Sequence, residues 1–156
     1  MTAPAAAPMF QRVALIGLGL IAGSMALAMR ESGLAGRIVG YARSAETRDV
    51  AREIGLVDEV TDSAADAVAG ADLVVLAVPV GAMGAVAAEI APHLAPGAIL
   101  TDVGSVKQSV IEAVAPHVPA GVHFIPGHPL AGTEHSGPRS GFASLRDVPA
   151  PGRRVA

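Results

Sequence analysis

The stretch VALIGLGLIAGS, Val13–Ser24, sets an apolar run directly against two glycines and then against helix-forming residues. Val13–Ile16 has the character of a buried strand, and Leu20–Ser32 reads as a helix closed by Gly33. Gly17 permits a tight turn between them, and Gly19 lets backbone come close to a pyrophosphate. The helix that follows offers the free N–H groups of Leu20, Ile21 and Ala22 at its positive end, which suits phosphate. The third small position of the G-x-G-x-x-G/A pattern is Ala22, with Gly23 behind it. A glycine-rich packing turn is the plainer reading of the same residues. The strand, helix and second strand arrive at the distances of a dinucleotide-binding unit, and that spacing favours nucleotide.

Outward from this turn, β-branched runs alternate with helical patterns, which predicts a parallel sheet with crossover helices. Strands are expected at Arg12–Ile16, Arg37–Tyr41, Val57–Val60, Leu73–Val78, Ala98–Asp102 and Val122–Ile125. Helices are expected at Leu20–Ser32, Ala45–Ile54, a short one capped by Ser63 and ending at Gly70, Met83–His93 and Ser105–Val114. The fold class is therefore α/β, a Rossmann-type doubly wound, mostly parallel sheet, with ligands at the carboxyl ends of the strands. APHLAPGAIL (91–100) and APHVPAGVHF (115–124) echo each other, each a helix end, a Pro-rich turn and a strand start. His93 and His117 occupy matching places there, where a helix C-terminus favours an imidazole.

With 156 residues, 51% hydrophobic and 16% charged, the chain has the size and composition of one core-rich domain. A net charge of −3 and scattered arginines give no basic stripe, so nucleic acid is not expected as a partner. There is no cysteine, which removes disulfides and thiolate metal sites and suits a cytoplasmic location. Val13–Met29 is uncharged and could pass for a membrane segment, but its glycines argue against that and no membrane partner is expected. Residues 1–11 read as a disordered leader, 12–145 as the dinucleotide-binding domain with a catalytic loop, and 146–156 as a tail without apolar periodicity.

The second strand ends in VGYARS, with Ala42 where an acidic residue would hold a ribose 2′-hydroxyl. Arg43 and Ser44 follow, a cation and a hydroxyl suited to a 2′-phosphate. NADP is favoured on this ground, with NAD the alternative.

Two later loops carry chemistry. In TDVGSVK, Thr101–Lys107, Asp102 ends a strand, Gly104 turns, and Ser105 stands as the expected N-cap of the next helix. Lys107 is the single lysine of the chain. A Ser–Lys nucleophile pair is conceivable here, but no nucleophile elbow accompanies it. In GHPLAGTEHSG, Gly127–Gly137, Pro129 and the glycines break helix and strand, and His128 falls just past a strand's carboxyl end. An imidazole there suits taking a proton from a substrate hydroxyl as hydride leaves. A metal held by His123, His128, Glu134 and His135 is the rival. His123 lies in the strand and alternates out of step, so no metal is expected.

GLGLIAGS, AVPV, DVGSVK and GHPLAGTEHSG together resemble the prephenate/arogenate dehydrogenase family, from about Val13 to Leu145. The resemblance implies oxidative decarboxylation of a cyclohexadienyl acid with NADP or NAD, in tyrosine biosynthesis. It implies that His128 hydrogen-bonds the substrate hydroxyl, that Ser105 assists there, and that Thr133 and Glu134 line the substrate mouth. Gly17, Gly19, Leu20, Ile21, Ala22, Arg43, Ser44, Ala77, Val78, Pro79, Asp102 and Gly104 make up the expected cofactor set. Family members go on to a helical domain that dimerises and contributes an Arg to the substrate carboxylates.

Here RDVPAPGRRVA (146–156) does not match that pattern. A shifted reading frame would account for it, and helical-domain code in another downstream frame is the expected sign. The chain alone is accordingly expected to bind dinucleotide weakly, to turn over prephenate poorly in a steady-state assay, and to be a monomer. Two alternatives stay open: another NADP-dependent oxidoreductase of the 3-hydroxyacid type, and a non-catalytic nucleotide-binding fragment.

Overall fold

The apolar run Val13–Ile16 is buried from both sides. Val13, Ala14, Leu15 and Ile16 are all without solvent exposure, as a central parallel strand covered by helices on two faces requires. The computed structural model describes residues 7–127. In chain order they form β1 (Phe10–Ile16), α1 (Leu20–Ser32), β2 (Ala35–Tyr41), α2 (Ala45–Ile54), β3 (Glu59–Val60) and α3 (Ala64–Val68). There follow β4 (Leu73–Leu76), α4 (Val80–Ile90), β5 (Ile99–Asp102), α5 (Lys107–Val114) and β6 (His123–Ile125).

Every neighbouring pair of strands is parallel, in the order β3-β2-β1-β4-β5-β6. The chain starts in the middle of the sheet, builds outward to β3, then returns to lay β4 on the other side of β1. The register sets Val13 beside both Ile38 and Leu73, and Ile16 beside both Tyr41 and Leu76. The carboxyl ends of β1 and β4, from which connections depart in opposite directions, therefore open a crevice.

Strand alternation divides the core in two. Val13, Leu15, Ile38 and Val75 pack with Ala22, Ala26, Met29 and Ala51 of α1 and α2. Ala14, Ile16, Val74, Leu76 and Leu100 pack with Ala67, Met83, Ile90, Val110 and Val114 of α3, α4 and α5. Alanines on the inner faces bring helix axes close to the sheet, which answers the scarcity of aromatic residues. The same economy joins α4 to α5, where a Cβ on Gly84 would lie 3.3 Å from the Ala113 carbonyl oxygen.

The helix ends follow local chemistry. Ser44 Oγ accepts from the Thr47 amide, Ser63 Oγ from the Asp66 amide, and Gly33 and Gly55 close α1 and α2 with φ of 68° and 63°.

Several expected boundaries are corrected: Phe10 and Gln11 belong to β1 instead of a leader, β2 starts at Ala35 instead of Arg37, and β3 is only Glu59–Val60 instead of Val57–Val60. β4 ends at Leu76 instead of Val78, and Ala77–Pro79 form the turn beyond it. α4 starts at Val80 instead of Met83, because Pro79 (φ −54°) leads straight into the first turn. The helix then ends at Ile90, since Pro92 has no N–H to continue the ladder, and Ala91–His93 tighten into a 3-10 turn. α5 begins at Lys107 instead of Ser105. Val106 is its N-cap residue, and Ser105 makes no cap.

The sequence echo is a structural one. Ala115–His117 is again a 3-10 turn, and the Gly97 amide donates to the Gly121 carbonyl at 2.8 Å, joining the two connections. Among the described residues no helix is long and apolar enough to cross a membrane.

Candidate functional site

Three chain segments meet at the strand edge where β1 and β4 diverge. The Gly17 amide donates to the Tyr41 carbonyl at 2.7 Å, and the Ala77 amide to the Ile16 carbonyl at 2.7 Å. These bonds tie the ends of β2, β1 and β4 side by side. Gly17 has φ +100°, and a Cβ there would lie 2.4 Å from the Ala77 oxygen. The turn can lie this low on β4 only because position 17 has no side chain.

Gly19 serves differently. It is the N-cap of α1 with ordinary extended backbone and no side-chain cap, and a Cβ there would meet nothing within 4 Å. The space beside Gly19 is therefore open at the positive end of a 13-residue helix. An open, positive helix end of this kind suits an anion such as a phosphate. Leu20 and Ile21 are half-buried beside it, and Ala22 is buried against the sheet, where the third fingerprint position belongs. On the facing segment Ala77 and Val78 are half-buried and Pro79 is exposed.

At the turn between β2 and α2, Arg43 and Ser44 are exposed and Ala42 is buried. Ser44 Oγ accepts from the Thr47 amide, so part of its hydrogen-bonding capacity goes to α2. Arg48, which the sequence pattern did not single out, reaches back and donates to the carbonyls of Ala42 and Arg43. Nothing in its spacing sets it apart from a solvated helix arginine.

The end of β5 holds a second cluster. The Asp102 carboxylate is fully buried and accepts from the Gly104 amide at 2.8 Å, from the Gly127 amide at 3.2 Å, and from Lys107 Nζ. Asp102 therefore spends its oxygens on the protein itself and ties three segments together. Lys107, weighed in the sequence as a partner for Ser105, donates to Asp102, while Ser105 is exposed beside the turn. Gly104 is buried, and a Cβ on it would come within 2.7 Å of Val110 Cγ2. A Cβ on Gly127 would lie 2.7 Å from the Asp102 backbone oxygen. The chain leaving β6 is thus pressed onto the end of β5 one residue before His128.

His128, Thr133, Glu134 and His135 lie outside the described residues. So do three of the four residues weighed as a metal set; His123, the fourth, is exposed on β6. Among the described residues no three His, Cys, Asp or Glu side chains gather to hold a metal.

Residues 25–148 match the family described as prephenate dehydrogenase, nucleotide-binding domain. The cyclohexadienyl dehydrogenase of Zymomonas mobilis is 48% identical over 136 residues, which cover 87% of this chain and 46% of that protein. The prephenate dehydrogenase of Aquifex aeolicus, solved with hydroxyphenyl propionate and NAD+, superposes with a TM-score of 0.77 at 34% identity, over 86% of this chain and 47% of that one. The arogenate dehydrogenase of Synechocystis superposes with a TM-score of 0.75 at 33% identity, over 84% and 45% of the two chains. The chain thus spans about half the length of these relatives. With the glycine turn, the divergent strand edge and this match in agreement, the chain belongs to the prephenate dehydrogenase family and carries its nucleotide-binding domain.

Proposed function

We propose that the chain is the cofactor-binding and proton-accepting part of an NAD(P)-dependent dehydrogenase that oxidatively decarboxylates prephenate or arogenate. The observation that carries this reading is the Gly127 amide seated on Asp102 at the same strand edge as Gly17 and Gly19. His128 is the next residue in the sequence.

When bound, the nicotinamide supplies the hydride acceptor. The residues of the chain do the rest by binding and orientation. The α1 amides and Gly19 receive the pyrophosphate, while Ala77–Pro79 border the crevice. His128 takes the hydroxyl proton as hydride leaves the carbon bearing that hydroxyl, and Ser105 assists at the same oxygen. Departure of carbon dioxide leaves its bonding electrons in the ring, which becomes aromatic, and the oxygen regains a proton as a phenol. Aromatisation drives the reaction forward, so orientation and proton acceptance are what the protein adds. Thr133 and Glu134 line the substrate mouth in this reading.

Where turnover of prephenate with NADP is observed, His128→Ala is expected to slow formation of reduced nicotinamide about a hundred- to ten-thousand-fold while changing dinucleotide affinity less than about twofold. An unchanged rate would remove His128 from the chemistry.

NADP is the favoured cofactor, on the strength of Ala42 in the acidic position with Arg43 beside it. The chain has no Trp to report binding, so the titration follows the reduced cofactors' own fluorescence. NADPH is expected to bind the unaltered chain more tightly than NADH. Ala42→Asp should shift that ratio toward NADH by about tenfold or more, by repelling the 2′-phosphate and accepting from a 2′-hydroxyl. Tighter NADH binding to the unaltered chain defeats the argument from Arg43.

A further inference from the structure

Arg48 lies on α2, yet its guanidinium is turned back onto the connection that precedes the helix. Nη1 donates to the Ala42 carbonyl at 2.7 Å and to the Arg43 carbonyl at 3.0 Å. Nε stands 3.3 Å from Asp62 Oδ1, and the guanidinium carbon is 5.9 Å from the centre of the Tyr41 ring. Only 16% of the Arg48 side chain is exposed, against 76% of the Asp62 side chain. Asp62 is held below the usual carboxylate range, first by the hydrogen bond from Arg52 and then by its charge, with Arg48 adding to both effects. It is therefore an anion at neutral pH and keeps Arg48 company as one.

These contacts converge on one short turn. Two successive carbonyls aimed at a single nitrogen fix the peptide planes on either side of Arg43, and with them the direction in which the Arg43 side chain leaves the backbone. The other end of the turn is held as well, because the Tyr41 carbonyl accepts from Gly17. A nucleotide with its pyrophosphate over Gly17 and Gly19 would bring its adenosine ribose toward Ala42–Ser44. Arg48 is thus placed to set the shape of the wall that the ribose meets, without being that wall.

We propose that Arg48 is a specificity-determining positioning residue: by gripping the Ala42 and Arg43 carbonyls it holds the β2–α2 turn in the shape that presents Arg43 to a phosphate on the 2′-oxygen of a bound adenosine. The inference rests on the reading of Arg43 as the 2′-phosphate contact and deepens it. An arginine suits the place because its planar, delocalised cation lies over Tyr41 and sets Nη1 between the two carbonyls, while Nε faces Asp62 Oδ1 at 3.3 Å without a hydrogen bond. A lysine ammonium is a compact point charge, with no planar face for Tyr41 and no second nitrogen for Asp62.

The test uses calorimetric titration of the chain with adenosine 2′,5′-bisphosphate and with 5′-AMP, which differ only in the 2′-phosphate. The unaltered chain is expected to prefer the bisphosphate, and Arg43→Ala to lose that preference. Arg48→Ala should weaken the bisphosphate about tenfold while 5′-AMP changes less than about twofold. Arg48→Lys should lose discrimination as well, although it keeps the charge.

Equal loss for both ligands in Arg48→Ala, no loss at all, or full recovery in Arg48→Lys would overturn the proposal. Circular dichroism and a denaturant midpoint establish that each variant is folded. If Arg48→Ala does not fold, Arg48→Lys decides the matter on its own, since retained discrimination refutes the grip and lost discrimination supports it. A chain that shows no preference for the bisphosphate before any substitution defeats the NADP reading and this inference with it. A preference that survives Arg48→Ala defeats this inference alone.

Discussion

Gly17→Ala is expected to destabilise the domain by about 3–5 kcal/mol and to remove measurable dinucleotide binding. Two separate penalties add. The backbone at Gly17 has φ +100°, a conformation that a side chain makes costly. The new methyl would also lie 2.4 Å from the Ala77 oxygen and 2.7 Å from its carbonyl carbon. Both atoms belong to the backbone at the end of β4, whose amide is bonded to Ile16, so the obstacle has no rotamer by which to move aside. Relief requires the turn to lift off the strand, and lifting it breaks the Gly17–Tyr41 bond and misdirects the α1 amides.

Gly19→Ala is the informative contrast. Its backbone is ordinary and a Cβ there meets no atom within 4 Å, so stability should change by less than about 1 kcal/mol. The methyl would instead occupy space meant for ligand, and affinity for NADP should fall about tenfold or more. Denaturant midpoints and cofactor titration on the two variants check both halves. A Gly17→Ala chain of normal stability would show that the turn relaxes freely. A Gly19→Ala chain of normal affinity would show that the pyrophosphate lies elsewhere.

The second large effect is expected at Asp102. Asp102→Ala should cost about 3 kcal/mol, because it strips acceptors from the Gly104 and Gly127 amides and from Lys107 at once. The Lys107 side chain is 31% exposed and can turn toward water, which keeps the figure at the lower end of the range for broken buried pairs. The Gly104 amide has no such escape, since its surroundings are buried. Asp102→Asn keeps one acceptor oxygen and much of the shape, and should lose roughly half as much. The functional consequence follows from connectivity. Gly127 carries the chain toward His128, so loosening its seat should lower kcat for the proposed reaction more than it changes dinucleotide affinity. Stability and affinity measured on both variants, with a kcat where turnover is observed, separate a positioning role from cofactor contact. If Asp102→Asn loses cofactor affinity without losing stability, the carboxylate faces the ligand after all.

The way in which the sequence reads well and badly here has a physical basis. Leu20–Ser32 and Ala45–Ile54 are found with their expected limits, because glycines at 33 and 55 and the Ser44 cap act within one helical turn. The expected six strands are present, because runs such as Leu73–Leu76 are apolar enough to be buried on both faces. Boundaries differ where one residue can serve two neighbouring elements. Ser105 has the composition of a cap, but the buried Asp102 carboxylate takes the Gly104 amide and the helix starts two residues later. In the sequence Pro79 reads as the terminator of β4, and in the structure it is the N-cap residue of α4.

By itself the sequence determined the alternation of strands and helices, the glycine turn between β1 and α1, and the candidates for cofactor contact. These are short-range matters of backbone freedom, capping and periodicity. Only the tertiary structure decided that Gly17 must lie on Ala77, that Asp102 is consumed by Gly104, Lys107 and Gly127, and that Arg48 turns back onto Ala42 and Arg43. Two of these depend on the order of strands in the sheet, which sets β4 beside β1 and β6 beside β5. The third depends on how α2 lies against the end of β2. A residue's partner across a sheet is fixed by that packing, and no local pattern around the residue records it.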